Sequence, residues 1–136
     1  MPIYKNGKLI AFLGDGEKSF SLTPEMIMEL ERKTNSAIGS VYGRFMNAQF
    51  HFIDIVEIIR LGLIGGGTSP TEAETLVEAY VKPRPIMETM PLAFDILDLA
   101  WNGTPAEPAV AVATDDVVQT DNMAAAINDA LEQVAA

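Results

Sequence analysis

The feature that most constrains the fold is the segment "FIDIVEIIRLGLI", residues 52–64, in which almost every side chain is apolar. Its polar exceptions, Asp54, Glu57 and Arg60, recur every three residues and therefore share one narrow strip of a helix. A helix with so little polar surface must be buried on most sides, because water would otherwise contact its apolar side chains. We therefore predict that this helix forms the centre of the core.

The residues before this helix predict a β-hairpin and two more helices. Residues 8–13 and 17–22 predict two short strands joined by Gly14-Asp15-Gly16, a turn signal, and in the second strand Phe20 and Leu22 alternate with serines. Ile3-Tyr4 predicts a weak additional strand. Thr23-Pro24 predicts the N-cap and first residue of a helix that ends near Asn35. Residues 36–50 predict a short helix with an apolar stripe: Ile38, Val41, Tyr42 and Phe45.

The glycine run in "GLIGGGTSPTE", residues 62–72, admits two interpretations. A phosphate-binding loop needs a preceding strand and, in nucleotide hydrolases, a Lys followed by Ser or Thr, but no Lys lies between Arg60 and Lys82. A helix–helix corner fits better. In this interpretation Gly65, Gly66 and Gly67 supply the left-handed residue that ends one helix. Ser69, Pro70 and Glu72 form a capping box that begins the next.

Two helices follow the corner. Residues 70–81 predict a helix with an exposed acidic face and an apolar inner face: Glu72, Glu74 and Glu78 outside, Ala73, Leu76, Val77 and Tyr80 inside. Residues 86–101 predict the next helix, which Pro91 should kink or delay and Gly103 should cap. Its large apolar side chains are spaced at helical intervals: Ile86, Met90, Phe94, Leu97 and Trp101.

Beyond Gly103 the chain has six acidic residues and no basic one. Residues 104–120 are rich in Pro and Ala and predict an acidic linker with little to bury. Residues 121–136 predict a C-terminal amphipathic helix, whose apolar side carries the candidate partner-binding residues Met123, Ile127, Leu131 and Val134. So short a helix is barely stable alone, and so it must dock either on its own domain or on another protein.

These elements predict an α+β, mostly α fold, with an N-terminal β-hairpin packed on a bundle of about four helices. Residues 1–103 form the predicted domain, and the linker and the C-terminal helix follow it.

Charge and composition indicate a protein partner. The net charge of −10 repels nucleic acid and anionic lipid. No secretory signal is recognisable, no apolar run approaches the roughly 20 residues of a spanning helix, and cysteine is absent. The cytosol is the expected location.

No residue pattern predicts catalysis, a cofactor or a metal site. His51 is the only histidine, and no partner residues are placed near it in the sequence. Paired carboxylates such as Asp95 and Asp98 are interpreted as solvated helix faces. We therefore expect a protein that is not an enzyme.

The order of elements resembles a known family, the small tail assembly proteins of gene transfer agents and related siphophages. The resemblance covers residues 8–103 and rests on four segments: "KLIAFLGDGEKSFSLT", "PEMIMELERKT", "IDIVEIIRLGLIGGG" and "PLAFDILDLAWNG". Members are often described as gene transfer agent family proteins, and in places as tail tube proteins.

The resemblance implies a tail assembly chaperone that binds the tape measure protein, tail tube subunits or both. Two alternatives stay open, a small helical adaptor or regulator encoded by a phage or prophage, and a structural tail component. Tube subunits are usually β-sandwiches or barrels, and the predicted strands are too few for either. Whether the chain forms a homo-oligomer is also left open.

Overall fold

The computed structural model describes residues 2–105, and it confirms the predicted α+β, mostly α fold class. Three strands come first along the chain: β1 Ile3–Lys5, β2 Lys8–Leu13 and β3 Gly16–Phe20. Five helices follow within the described residues: α1 Pro24–Thr34, α2 Ile38–Met46, α3 Phe52–Gly65, α4 Pro70–Tyr80 and α5 Ile86–Asn102.

Most of the predicted linker and the whole predicted C-terminal helix lie outside the described residues. The four candidate partner-binding side chains of that helix are among them: Met123, Ile127, Leu131 and Val134. Their assignment stays a prediction.

The predicted hairpin is present and extends to an antiparallel sheet in the order β1-β2-β3. The weak strand expected at Ile3-Tyr4 is its first strand, joined to β2 by Asn6-Gly7, where both residues have positive φ (55° and 77°). This is the backbone that a two-residue hairpin turn needs. β3 ends at Phe20, two residues earlier than predicted, yet Leu22 is still buried.

α3 is the central helix, as predicted. It packs against α1, α4, α5 and β3, and most of its apolar side chains are buried. The largest fully buried side chains come from every layer around it: Leu9, Phe20, Leu30, Val41, Ile55, Ile58, Ile59, Leu61, Leu63, Val77, Ile96 and Leu97. Burial of apolar surface around one helix therefore organises the domain.

The polar strip of α3 is also covered by protein. Asp54 is fully buried and Glu57 nearly so. The guanidinium of Arg44, on α2, donates to both oxygens of the Asp54 carboxylate, with Nη2 2.7 Å from Oδ1 and Nε 2.9 Å from Oδ2. Arg60 pairs with Glu57 at 2.7 Å on the same helix. Each carboxylate thus has the charged partner that burial demands.

The other helices differ from prediction mainly at their ends. Thr23 caps α1, because its Oγ1 accepts the N–H of Met26 at 3.3 Å. α2 ends at Met46, and Ala48 then adopts a positive φ of 55°, so the helix does not reach Phe50. α4 ends at Tyr80 and buries Ala73, Leu76 and Val77, as expected.

α5 differs most from prediction, because four of the five spaced apolar side chains lie off its core face, which Ile96, Leu97 and Leu99 form instead. Pro91 lies inside the helix and does not delay its start at Ile86, and of the five spaced residues only Leu97 is buried. The buried side also carries Thr89 and Ala93, which are small. The close approach of α5 to α3 is at Gly62, where an added Cβ would lie 3.0 Å from the side chain of Ile96.

Candidate protein-binding surface

The glycine run ends α3 with a Schellman pattern of hydrogen bonds. The N–H of Thr68 donates to the Leu63 carbonyl at 2.9 Å, and the N–H of Gly67 donates to the Ile64 carbonyl at 3.0 Å. Of the three consecutive glycines only Gly67 has a positive φ, at 118°. The helix–helix corner is therefore built by one glycine.

Gly65 and Gly66 do not supply the left-handed residue, which corrects the expected role of these two glycines. A Cβ on Gly65 would overlap the carbonyl oxygen of Ser21, and one on Gly66 would overlap that of Ser19. The N–H of Ser21 also donates to the Gly62 carbonyl at 3.0 Å. These glycines let the end of β3 pack directly against the backbone of α3.

The start of α4 uses half of the expected capping box. Ser69 Oγ accepts the N–H of Glu72 at 3.1 Å, and Pro70 occupies the first helical turn. Within residues 2–105 the Glu72 carboxylate does not accept the Ser69 N–H, and Glu72 is exposed. The six residues predicted for the turn and cap therefore lie together at this helix–helix corner. None of them lines either groove described below.

The candidate functional surface lies on the outer side of α5. We define the α5 surface by its exposed or half-buried apolar side chains: Phe12 of β2, Met46 of α2, and Ile86, Met87, Met90, Leu92 and Phe94 of α5. Met87 is 79% exposed and Phe12 is 71% exposed. Large exposed apolar side chains grouped along one helix and its neighbours are typical of surfaces that bind other proteins.

A sheet-side groove of about 480 Å³ separates α5 from the hairpin. Phe12 and Leu92 contribute apolar walls, and the polar residues Arg84, Glu88 and Asp95 lie along it. Arg84 and Glu88 form an exposed ion pair at 3.3 Å. The lining of this groove is more polar than that of a second groove on the other flank of α5.

An α2-side groove of about 320 Å³ lies on the other flank of α5. Its lining is apolar apart from one carboxylate: Phe45, Met46, Met90, Pro91, Phe94 and Asp95. Aromatic rings join α2 to α5 beside it, since Tyr42 stacks on Trp101 with ring centroids 4.2 Å apart and planes 4° apart. In the lining itself the rings of Phe45 and Phe94 have centroids 6.4 Å apart, which gives this wall a fixed shape, whereas the flexible side chains of Met46 and Met90 can adapt to a partner.

Two carboxylates, Asp95 and Asp98, lie between the apolar sides of α5. Asp98 Oδ1 accepts from Asn102 Nδ2 at 2.7 Å and from the Tyr42 hydroxyl at 3.4 Å, which are neutral donors. Burial, and then the charge of Asp98, raise the pKa of Asp95 above its usual range. Burial and both carboxylates raise the pKa of Tyr4. The middle of the α5 surface is therefore electronegative.

Metal-binding groups and membrane-spanning helices are both absent from the described residues. In the range 2–105 no three His, Asp or Glu residues are grouped so as to hold a metal ion. None of the helices in this range combines the length and apolar composition that crossing a membrane requires. The cluster of exposed apolar side chains is the feature that calls for a functional explanation.

The sequence contains a signal for the α5 surface that spacing alone does not reveal. Residues 86–101 carry more large apolar side chains than one buried helix face can hold, and exposed Pro91 interrupts the backbone hydrogen bonds of the helix. The pair Asp95 and Asp98 was interpreted as a solvated face, but both side chains are half-buried. A helix that is apolar on two sides must be covered on two sides.

Comparison with known proteins gives one match. No curated protein and no solved structure matches the chain. A family model does, over residues 6–103, and its description is phage tail tube protein, GTA-gp10. The match includes β2, β3 and all five helices of the described residues, and it agrees with the resemblance found over residues 8–103. The chain belongs to this phage and gene transfer agent tail family, whose role is structural or in assembly.

Proposed function

We propose that the chain is a tail assembly chaperone that binds the tape measure protein, tail tube subunits or both in the cytoplasm of a bacterial host, without enzymatic activity. The α5 surface is the observation that carries this proposal. On this surface Met87 and Phe12 are exposed, and neither belongs to the buried core of the domain.

The chemistry of the α5 surface supports binding to an apolar-faced helical protein. Methionine side chains adapt to different apolar partners, and grooves beside a helix accept amphipathic helices. A tape measure protein is long, helical and prone to self-association through such faces. The net charge of −10 would keep a complex soluble by repulsion between complexes.

Co-expression tests this proposal. The tape measure protein encoded in the same gene cluster is produced with the wild-type chain, with the double variant Phe12→Glu/Met87→Glu, or alone. We expect the wild-type chain to raise the soluble fraction of the tape measure protein several-fold and the double variant to have little effect. The variant should still fold, because both side chains are largely exposed.

Met28→Glu is the matched control. Met28 is also strongly exposed but lies on α1, outside the α5 surface. It should raise solubility as the wild type does. If the wild-type chain leaves the tape measure protein as insoluble as before, the chaperone proposal is wrong.

A structural tail component is the second candidate, and the family description as a tail tube protein favours it. A tube subunit stays in the finished particle, whereas a chaperone leaves it. Mass spectrometry of purified particles distinguishes them. A chain present in many copies per tail supports the tube, and its absence from tails that contain the tape measure protein supports the chaperone.

A further inference from the structure

We propose that the α2-side groove binds an amphipathic helix of a partner protein that places a Lys or Arg against Asp95. This inference deepens the proposed function and rests on it, since it names the chemistry of the segment that the α5 surface binds.

The groove has the shape and lining for a helix. It runs between two helices, α2 and α5, and a third helix packs naturally along such a groove. Five of its six lining residues are apolar or proline, and Met46 on its rim is exposed. The apolar residues of an incoming helix, spaced at three and four positions, would contact this lining.

The positive charge expected on the incoming helix follows from the cationic partners of two other covered carboxylates in this chain. Asp54 pairs with Arg44 and Glu57 pairs with Arg60, each at 2.7 Å. Asp95, which is half-buried, has no Lys, Arg or His within 4.0 Å among residues 2–105. Glu31 and Asp98 are also half-buried without a cation, but each accepts hydrogen bonds, whereas none reaches the Asp95 carboxylate from residues 2–105. Asp95 is therefore the covered acid in this range that has neither kind of partner.

The neighbours of Asp95 strengthen this contrast. Asp98 lies one helical turn away and adds negative charge, and Tyr4 on β1 is neutral. Burial and Asp98 raise the pKa of Asp95, so that the ionised carboxylate is less stable there than in water. A cation brought by a partner would relieve both effects, whereas an acidic residue in the same place would be repelled.

The experiment titrates the full-length chain, as wild type and as two variants, with two sets of peptides. The first set is overlapping 20-residue peptides from the tape measure and tail tube proteins of the same gene cluster. The second is a model amphipathic helix with leucines on one face and Lys, Gln or Glu at one position beside them. The full-length chain is titrated with each, and the methyl signals of its methionines are followed by NMR.

We expect the model helix to bind in the order Lys, Gln, Glu, with about tenfold between Lys and Gln, which corresponds to one charge-assisted contact. In Asp95→Asn this preference should disappear. Glu74→Gln, which removes one negative charge from the exposed face of α4, should keep it. The signals of Met46 and Met90 should shift, and that of Met28, on α1, should not.

The two sets separate the inference from the proposed function. Tail peptides that bind with equal affinity to wild type and Asp95→Asn would overturn the inference and leave the proposed function standing. Selective binding of the Lys helix with no tail peptide bound would keep the groove chemistry and count against the proposed function. If no peptide of either set binds, or if the Met46 and Met90 signals do not move, the inference is wrong.

Discussion

At the scale of single residues, Gly66 fixes how the sheet meets the central helix. A Cβ at this position would overlap backbone atoms of Ser19, which cannot move aside as a side chain can. We expect Gly66→Ala to lower the free energy of unfolding by about 3 kcal/mol or more. Urea unfolding followed by circular dichroism measures the change.

Gly43→Ala is the control for this substitution. Gly43 lies within α2, and a Cβ there would meet nothing within 4 Å. Alanine should therefore stabilise the protein by about 0.5–1 kcal/mol, through its better helix propensity. Equal effects of the two substitutions would contradict the close contact between α3 and β3.

In the glycine run, the local hydrogen bonds were predictable from the sequence and the long-range contacts were not. The helix stop and the cap at Ser69 follow from local rules, because their hydrogen bonds join neighbouring residues. The contacts of Gly65 and Gly66 with Ser21 and Ser19 join residues more than forty positions apart, and no local rule contains them. The excess of glycines over the one that a helix end needs is the only local sign of such a contact.

Asp95 gives a pH-dependent prediction. Its pKa is raised in the folded protein, so the ionised carboxylate destabilises the fold, and protonation removes this cost. Asp95→Asn should therefore stabilise the protein at pH 7, by no more than about 1 kcal/mol, because water screens a half-buried charge. The difference should be fully present above the folded-state pKa and vanish below the unfolded value of about 3.8.

Thermal unfolding of wild type and Asp95→Asn between pH 3 and pH 8 tests this sign. A melting temperature that falls on substitution at pH 7 would mean that Asp95 has a stabilising partner within the chain. Such a result would also weaken the case for a cation supplied from outside.

At the scale of elements, the pair of Arg44 and Asp54 joins α2 to α3. Arg44→Met would leave the Asp54 carboxylate fully buried without its cation, and we expect a loss of about 3–5 kcal/mol in the free energy of unfolding. Arg44→Lys should recover only part of it, since an ammonium cannot donate to both oxygens as a guanidinium does. Urea unfolding of each variant measures these losses.

Arg84→Met is the comparison for this pair. The ion pair of Arg84 with Glu88 is exposed on both sides, so its loss should cost at most about 1 kcal/mol. If Arg44→Met costs no more than Arg84→Met, the Arg44–Asp54 pair does not hold α2 on α3.

Elements were predictable where the pattern was local and strong. Caps, turns and the burial of α3 follow from spacing and composition, and so did most helix bounds. Which side of α5 is buried was not predictable, because it depends on where α3 and β2 pack against the helix. The buried side of α5 carries Thr89 and Ala93 together with Ile96, Leu97 and Leu99, whereas Phe94 and Met90 are only half-buried.

At the scale of the whole molecule, the described domain accounts for its own core. Truncation after Gly103 keeps every residue of the sheet and the five helices. We expect the shortened chain to unfold cooperatively, with a melting temperature within a few degrees of the full chain, and to bind its partner more weakly. Fluorescence of Trp101, the only tryptophan, reports the transition, because its ring stacks on Tyr42.

Loss of cooperative unfolding in the shortened chain would mean that the domain does not end at Gly103. Met123, Ile127, Leu131 and Val134 would then belong to the core and not to a partner-binding helix. Unchanged partner binding would likewise remove the role predicted for these four residues.

Function was predictable at this scale only as a class. The resemblance carried by the order of elements predicts a tail protein, and the family match over residues 6–103 agrees with a structural or assembly role in the tail. The α5 surface required the structure, because its residues come from β2, α2 and α5, which are distant in sequence.

The most direct test of the account is the amount of chain that a tagged tape measure protein retains on an affinity column after co-expression. The account predicts that wild type and Met28→Glu are retained equally, and that Phe12→Glu/Met87→Glu is reduced at least about tenfold, or 1.4 kcal/mol. Equal retention of the double variant, or no retention of the wild type, would contradict binding through the α5 surface.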